Sequence, residues 1–93
     1  MKRILITGGA GFVGRHFTKV FLDMGYSVDC VDNIAKYTGG INPNNGWPLF
    51  DPLDYNNFNF FKQDCREFFR NNTNNYDLVL HLAAIVGGRL VIE

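Results

Sequence analysis

The sequence has few cysteines and no excess of charge of either sign, and each shortage argues against a class of protein. Its 93 residues include two cysteines, Cys30 and Cys65, which are far apart and lack the CxxC or Cys/His spacing of a metal site. This pattern disfavours a disulfide scaffold and predicts reduced intracellular thiols, with no metal centre. Nine basic and nine acidic residues cancel to a net charge of 0. No overall field therefore attracts nucleic acid or an anionic membrane.

Long apolar runs are also missing. No stretch approaches the roughly 20 apolar residues that span a bilayer, and the apolar run after Met1 stops at Thr7, far short of a signal-peptide core. The expected location is therefore cytoplasmic. The composition that remains is 46% hydrophobic, 15% aromatic and 19% charged, which is typical of a globular domain with a packed core.

Short apolar runs alternate with one clear helical pattern. We predict strands at residues 4–6, 28–31, 58–61 and 78–82, a helix from residue 12 to a stop at Gly25, and a short helix at 66–72. The first helix is expected to pack on the sheet through an apolar stripe at helical spacing, formed by Val13, Phe17, Val20, Phe21 and Met24. Alternating strands and helices predict an α/β fold with a doubly wound parallel sheet, in the strand order 3-2-1-4.

Two further expectations concern the ends and the middle of this fold. The fourth strand would normally be covered by a fifth, so we expect residues 1–93 to be the N-terminal portion of a longer domain; an uncovered apolar edge favours association, for example as a homodimer. Residues 33–57 are rich in Asn, Pro and Gly and lack periodicity, which is unusual within a compact domain. Two readings stay open for the part around Trp47 and Phe50: a substrate or subunit lid, or a locally disordered surface loop.

The strongest motif is a glycine-rich turn, Thr-Gly-Gly-Ala-Gly-Phe-Val-Gly at residues 7–14, between the first strand and the first helix. Gly8 allows the tight turn out of the strand, Gly11 lets a diphosphate approach the backbone, and Gly14 lets the helix pack tightly on the sheet. The helix N-terminus then offers free N–H groups and its positive dipole end to the anion. The motif predicts a Rossmann-type dinucleotide site.

Asp32 stands at the end of the second strand, 18 residues after Gly14, where this fold places its ribose-binding carboxylate. A carboxylate there accepts hydrogen bonds from the adenosine ribose and repels a 2′-phosphate, so NAD is favoured over NADP. Two alternatives stay open. In the first, Asp32 only ends the strand and binds no ribose. In the second, the cofactor is NADP, which binds with help from Lys36, the nearest cation.

Taken together, these motifs resemble the extended short-chain dehydrogenase/reductase family, whose members are sugar-nucleotide epimerases and dehydratases. The resemblance covers essentially the whole chain and includes two further elements: Asp64-Cys65-Arg66 is similar to the family's adenine-site D-x-R, and His81-Leu82-Ala83-Ala84 to its H-x-A-A near the nicotinamide. A turn and helix cap is the competing reading of Asp64. The cofactor site that the resemblance implies consists of Gly8, Gly11, Phe12, Val13, Gly14, Asp32, Asn33, Asp64, Cys65, Leu82, Ala83 and Ala84.

The two histidines are interpreted as non-catalytic. His81 lies in an apolar strand, which favours a structural, hydrogen-bonded role over a general base, and His16 is expected at the surface of the first helix. The resemblance implies a Ser or Thr and a Tyr-x-x-x-Lys pair as reactive groups. No tyrosine of this sequence has a lysine four residues later, so no catalytic residue is assigned and residues 1–93 are expected to bind without turnover.

Two functions follow as hypotheses. The first is an enzyme, an NAD-dependent epimerase or dehydratase acting on a nucleoside-diphosphate sugar, with an NADP-dependent sugar-nucleotide reductase as a variant. The second is a non-catalytic dinucleotide sensor or scaffold. A Tyr-x-x-x-Lys further along a longer chain would favour the enzyme.

Overall fold

A computed structural model describes residues 2–34, 39–71 and 75–82. Their strands form one parallel sheet in the order β3-β2-β1-β4. This confirms the predicted α/β class and strand order. In chain order, the elements are β1 (Arg3–Thr7), α1 (Phe12–Asp23), β2 (Ser27–Asp32), β3 (Phe58–Lys62), α2 (Cys65–Asn71) and β4 (Leu78–His81).

The centre of the sheet is formed by β1 and β2, which are buried on both faces. Ile4, Leu5, Ile6, Val28 and Val31 are all at most 2% exposed. Burial of apolar side chains on both faces is typical of parallel strands that helices cover on both sides. At the β4 edge, by contrast, the side chains of Leu78 and Val79 are about two-fifths exposed (41% and 43%).

Helix α1 covers one face of the sheet, but through a different stripe from the one predicted. Its buried residues are Gly14, Thr18 and Leu22, at i, i+4 and i+8. The expected stripe is only partly buried at Phe21 and is otherwise largely exposed: Val13 51%, Phe17 39%, Val20 45% and Met24 55%. Small residues at positions 14 and 18 let the helix come close to the glycine turn, and the Thr18 hydroxyl donates to the Gly14 carbonyl at 2.8 Å, so its burial leaves no polar atom unpaired.

The opposite face is covered by α2, whose Phe68 packs with Leu5 and Val31. Asp29 of β2 is only 2% exposed. Its carboxylate accepts hydrogen bonds from Arg3 Nη2 at 3.2 Å, Asn59 Nδ2 at 3.0 Å and Tyr76 Oη at 2.6 Å. Three donors compensate for the burial of this charge, which would otherwise be costly.

The connection between β2 and β3 is more ordered in its described part than the sequence predicted. It contains two short 3-10 helices, Pro43–Asn45 and Pro52–Asp54, each capped by an Asx side chain. Trp47 is 6% exposed and packs edge-on against Phe58 and Phe50, with ring centroids 5.6 and 5.5 Å away. Trp47 Nε1 donates to the Ile41 carbonyl at 2.7 Å. Trp47 therefore completes the core on the α1 face, where the sequence reading had placed it in a lid or a disordered loop.

No helix within the described ranges is long and apolar enough to cross a membrane. In the same ranges, no group of three or more His, Cys, Asp or Glu side chains could hold a metal ion.

Candidate functional site

The predicted motifs meet at one edge of the sheet. Because all four strands are parallel, their carboxyl ends share an edge, and ligands of open α/β sheets bind outside that edge. The strand order places the Asp64 segment, Asp32, the glycine turn and His81 side by side. The turn lies between β1 and α1, beside the carboxyl end of β2.

The glycine turn has the geometry that its residue types require. Gly8 has a φ of +72°, a left-handed conformation that favours glycine, and its N–H donates to the Val31 carbonyl at 2.7 Å. A Cβ atom on Gly14 would lie 2.5 Å from the Gly9 Cα and would also collide with the Gly8 carbonyl oxygen. The sequence predicts that Gly14 lets α1 pack on the sheet, but the atoms nearest to an added Cβ belong to Gly8 and Gly9, so Gly14 lets α1 pack against the turn itself.

Helix α1 begins immediately after this turn and leaves its first amides available. Gly11 is the N-cap residue, at φ −76° and ψ 175°, with no side-chain cap and no acidic residue in the first turn. The first intrahelical bond runs from the Arg15 N–H to the Gly11 carbonyl at 2.8 Å, so the N–H groups of residues 12–14 have no acceptor within the helix. The side chains of Phe12 and Val13 are exposed, at 75% and 51%. Since the dihedral angles of Gly11 suit any residue, close approach of a ligand stays the predicted reason for its glycine.

Asp32 is tied directly to the glycine turn. Asp32 is 7% exposed. Its Oδ2 accepts a hydrogen bond from the Ala10 N–H at 3.0 Å, and its Oδ1 accepts one from the Ile34 N–H at 2.8 Å. A carboxylate offers about four lone-pair positions, so the two oxygens keep capacity for further donors. Ile34 adopts a φ of +56°, unusual for a β-branched residue. The chain thus turns sharply after β2, leaving Asn33 exposed next to the carboxylate.

Sequence reasoning missed the role of Gly9. A Cβ at this position would collide with the Cys30 Sγ and would lie 3.1 Å from the Ile6 carbonyl oxygen. Cys30 is fully buried, and this burial, followed by the nearby charges of Asp32 and Asp29, raises the pKa of its thiol well above the usual value. The thiol is therefore neutral and fills space beneath the turn.

The Asp64 segment follows β3 at the same edge. Asp64 Oδ1 accepts from the Arg66 N–H at 2.8 Å, the bond of an N-cap, and Oδ2 lies 3.1 Å from Arg66 Nη2. The Arg66 side-chain and backbone hydrogen bonds lower the pKa of Asp64 to about 2. Asp64 therefore caps the N-terminus of α2, as the alternative interpretation of this residue predicted. Cys65 is half-buried next to it, and the adenine contacts predicted for both residues stay predictions.

At the end of β4, His81 is hydrogen-bonded, as expected for a structural histidine. Its Nδ1 lies 2.6 Å from the Thr7 Oγ1 at the end of β1, and its ring contacts Phe69 at a centroid distance of 5.9 Å. Leu82 is half-buried against the core on the α1 face. Ala83 and Ala84, also predicted to line the cofactor site, fall outside the described residues. His16 is exposed on α1, as predicted.

Comparison with known proteins identifies the family to which the chain belongs. The model of the NAD dependent epimerase/dehydratase family matches residues 4–91. The UDP-N-acetyl-alpha-D-glucosaminuronate decarboxylase of Bacillus cytotoxicus is 34% identical over 96 aligned positions, which cover 99% of this chain and 26% of the relative. The UDP-glucose 4-epimerase of Drosophila melanogaster is 33% identical over 87 positions, which cover 88% of this chain and 25% of the relative.

A similar solved structure also comes from an enzyme of nucleotide sugars. The dTDP-glucose 4,6-dehydratase of Bacillus anthracis, in complex with NAD, superimposes with a TM-score of 0.66 and 26% identity over 87% of this chain and 26% of its own. The chain thus spans about a quarter of the length of these proteins. The resemblance inferred from the glycine turn, Asp32 and the later motifs is confirmed, and the chain belongs to the NAD dependent epimerase/dehydratase family.

Proposed function

We propose that residues 1–93 bind NAD, with its diphosphate on the glycine turn and its adenosine ribose on Asp32. The observation that carries the proposal is the bond from the Ala10 N–H to Asp32 Oδ2 at 3.0 Å. This bond holds the ribose-binding carboxylate against the turn whose next amides lack acceptors in α1. In NAD, the diphosphate is bonded directly to the adenosine ribose, so one ligand can reach both the amides and the carboxylate.

The remaining cofactor contacts belong to the same proposal. Phe12 and Val13 contribute backbone N–H groups, Asn33 assists Asp32 at the ribose, and Asp64 and Cys65 border the adenine. Leu82, Ala83 and Ala84 are assigned to the nicotinamide side. Because β3, β2, β1 and β4 are adjacent in that order, the assignment runs along the sheet edge from adenine to nicotinamide.

For the whole protein, we propose an NAD-dependent epimerase or dehydratase of a nucleoside-diphosphate sugar. The support is the family and the activities for which its relatives are named, which involve UDP- and dTDP-linked sugars. NAD would accept a hydride from the sugar and return it. Since no tyrosine is followed four residues later by a lysine, the function proposed for residues 1–93 alone is binding without turnover. A cytoplasmic location and a homodimer complete the proposal as predictions.

Calorimetric titration of the 93-residue chain with NAD and NADP tests the cofactor assignment. We expect the parent to prefer NAD, and Asp32→Ala to lose about ten-fold or more in NAD affinity, because hydrogen bonds to a charged group contribute about 1.5–3 kcal/mol. Asp32→Asn keeps one acceptor oxygen, cannot accept from both backbone N–H groups that the carboxylate holds, and loses the repulsion of a 2′-phosphate, so NAD should bind more weakly and the preference for NAD over NADP should narrow.

Asp51→Ala is the matched control. Asp51 Oδ1 also accepts a backbone N–H two residues on, from Leu53 at 3.0 Å, but it caps a 3-10 helix outside the proposed site. The control should bind both cofactors like the parent. Equal affinity of the parent for NAD and NADP would contradict the role of Asp32, and no binding of either would contradict the proposed function.

A further inference from the structure

Arg15, in the first turn of α1, is not assigned by the motif. Its Nη1 donates to the Ala10 carbonyl at 2.7 Å and to the Gly39 carbonyl at 3.1 Å. The Ile41 N–H donates to the same Ala10 oxygen at 3.0 Å. Among the described residues, no carboxylate forms an ion pair with Arg15, whereas Arg3, Lys19 and Arg66 each have one. Arg15 therefore places a positive charge, with no ion-pair partner among the described residues, on the backbone of the glycine turn.

These bonds fix the peptide unit that joins Ala10 to Gly11 at both ends. Its carbonyl oxygen is held by Arg15 and Ile41, and its N–H, on Gly11, donates to the Gly8 carbonyl at 3.2 Å. The N–H of Ala10 is held separately by Asp32. A peptide in a glycine-rich turn could otherwise rotate, since glycine allows a wide range of dihedral angles.

The orientation of this peptide matters for an anion. A carbonyl oxygen carries partial negative charge, so a rotation that turned it towards the α1 N-terminus would repel a phosphate there and cancel part of the attraction of the amides. A charged donor forms a stronger hydrogen bond than a neutral one. Arg15 is therefore well suited to keep the carbonyl turned away from the anion.

We infer that Arg15 is a positioning residue for the diphosphate: it orients the Ala10–Gly11 peptide and ties residues 39–41 to the glycine turn. The inference rests on the proposed binding of NAD, and it adds a residue and a segment that act on the phosphates through the backbone. Its specific consequence is that loss of Arg15 weakens ligands that carry the diphosphate and spares those that lack it.

The test compares NAD with adenosine, a ligand without phosphates, on the 93-residue chain. Arg15→Met removes the charge and the donors at similar side-chain length, and Arg15→Lys keeps both a charge and donors. Lys19→Met is the control for charge, because Lys19 lies one turn further along α1 and pairs with Asp23. NAD binding is measured by calorimetry and adenosine binding by ligand-observed NMR, with the circular dichroism spectrum as a check of folding.

We expect Arg15→Met to weaken NAD about ten-fold, which corresponds to about 1.4 kcal/mol, with adenosine binding unchanged. Arg15→Lys should recover most of the loss, and Lys19→Met should bind NAD like the parent. Unchanged NAD affinity in Arg15→Met, or an equal loss of NAD and adenosine, would overturn the inference, the second result indicating a general structural role. If the parent itself binds no NAD, the proposed function fails first, so the two failures are distinguishable.

Discussion

Replacing Gly14 by alanine is the sharpest single perturbation of the glycine turn. The added methyl group would lie 2.5 Å from the Gly9 Cα and 2.7 Å from the Gly9 carbonyl carbon. Carbon atoms normally approach to about 3.5–4.0 Å, so α1 and the turn must separate by roughly 1 Å. Both contacts involve backbone atoms, which cannot rotate away as a flexible side chain could.

Two effects of opposite sign determine the stability of Gly14→Ala. Alanine is about 1 kcal/mol better than glycine in a helix interior, whereas overpacking typically costs about 1–3 kcal/mol. The net loss in the free energy of unfolding is therefore about 0–2 kcal/mol, and the chain should still fold. The loss of NAD affinity should be larger, because displaced amides lose charge-assisted hydrogen bonds worth about 1.5–3 kcal/mol each. We expect at least a ten-fold weaker Kd.

Gly25→Ala is the matched control for this substitution. Gly25 has a φ of +85° and nothing within 4 Å of an added Cβ, and it lies just after α1, at the end far from the glycine turn. Alanine in that conformation costs about 1–2 kcal/mol, so the control loses comparable stability for a reason unrelated to the turn. Urea unfolding and calorimetric titration with NAD measure both quantities. If Gly14→Ala binds NAD as tightly as the parent, or if Gly25→Ala loses as much affinity, the assignment of the turn to the diphosphate is refuted.

Three further predictions concern other parts of the fold. Asp29→Asn should lower the free energy of unfolding by about 1–3 kcal/mol, because the amide cannot accept all three of the donors that the buried carboxylate satisfies; urea unfolding equal to that of the parent would contradict this. A thiol reagent should modify Cys65 in the folded chain and Cys30 only after unfolding, and bound NAD should protect Cys65; rapid labelling of Cys30 under native conditions would refute its burial. The Asp64 carboxyl should titrate in NMR spectra at about pH 2, against an ordinary pKa of 3.8. A lowered pKa stabilises the fold at pH values above 3.8, and this contribution is lost as the pH falls through about 2; a midpoint near 3.8 would contradict the pairing with Arg66.

The strand order and the edge that carries the motifs could be predicted because local signals agree with each other. The apolar runs of β1 and β2 are short and bounded by glycine or polar residues, and a parallel α/β sheet leaves few topologies for such a pattern. Gly8 and Gly14 could be assigned because each role follows from an absent Cβ. Asp32 could be placed because it directly follows Val31, the last apolar residue of β2.

The packing of α1 and the long connection could not be read from the sequence in the same way. Periodicity identified the most hydrophobic stripe of α1, yet proximity to the glycine turn selects the smallest residues, Gly14 and Thr18, for the buried face. The connection after β2 lacks periodicity because its order comes from scattered contacts, of Trp47 with β3 and of residues 39 and 41 with the glycine turn. Arg15 was missed for a related reason: its acceptors are backbone carbonyls, and no sequence motif records them.

The segment that carries Trp47 packs against the core on the α1 face of the sheet, and two sets of contacts hold it there. One is the indole ring in the hydrophobic core; the other is the pair of contacts from residues 39 and 41 to the glycine turn. The Trp47 Nε1–Ile41 hydrogen bond links these two sets of contacts, so a change at either one would shift the residues that contact the glycine turn, where we propose that the diphosphate binds. Substitution should therefore be tolerated at its exposed Asn44 and Asn45 and resisted at Ile41 and Trp47.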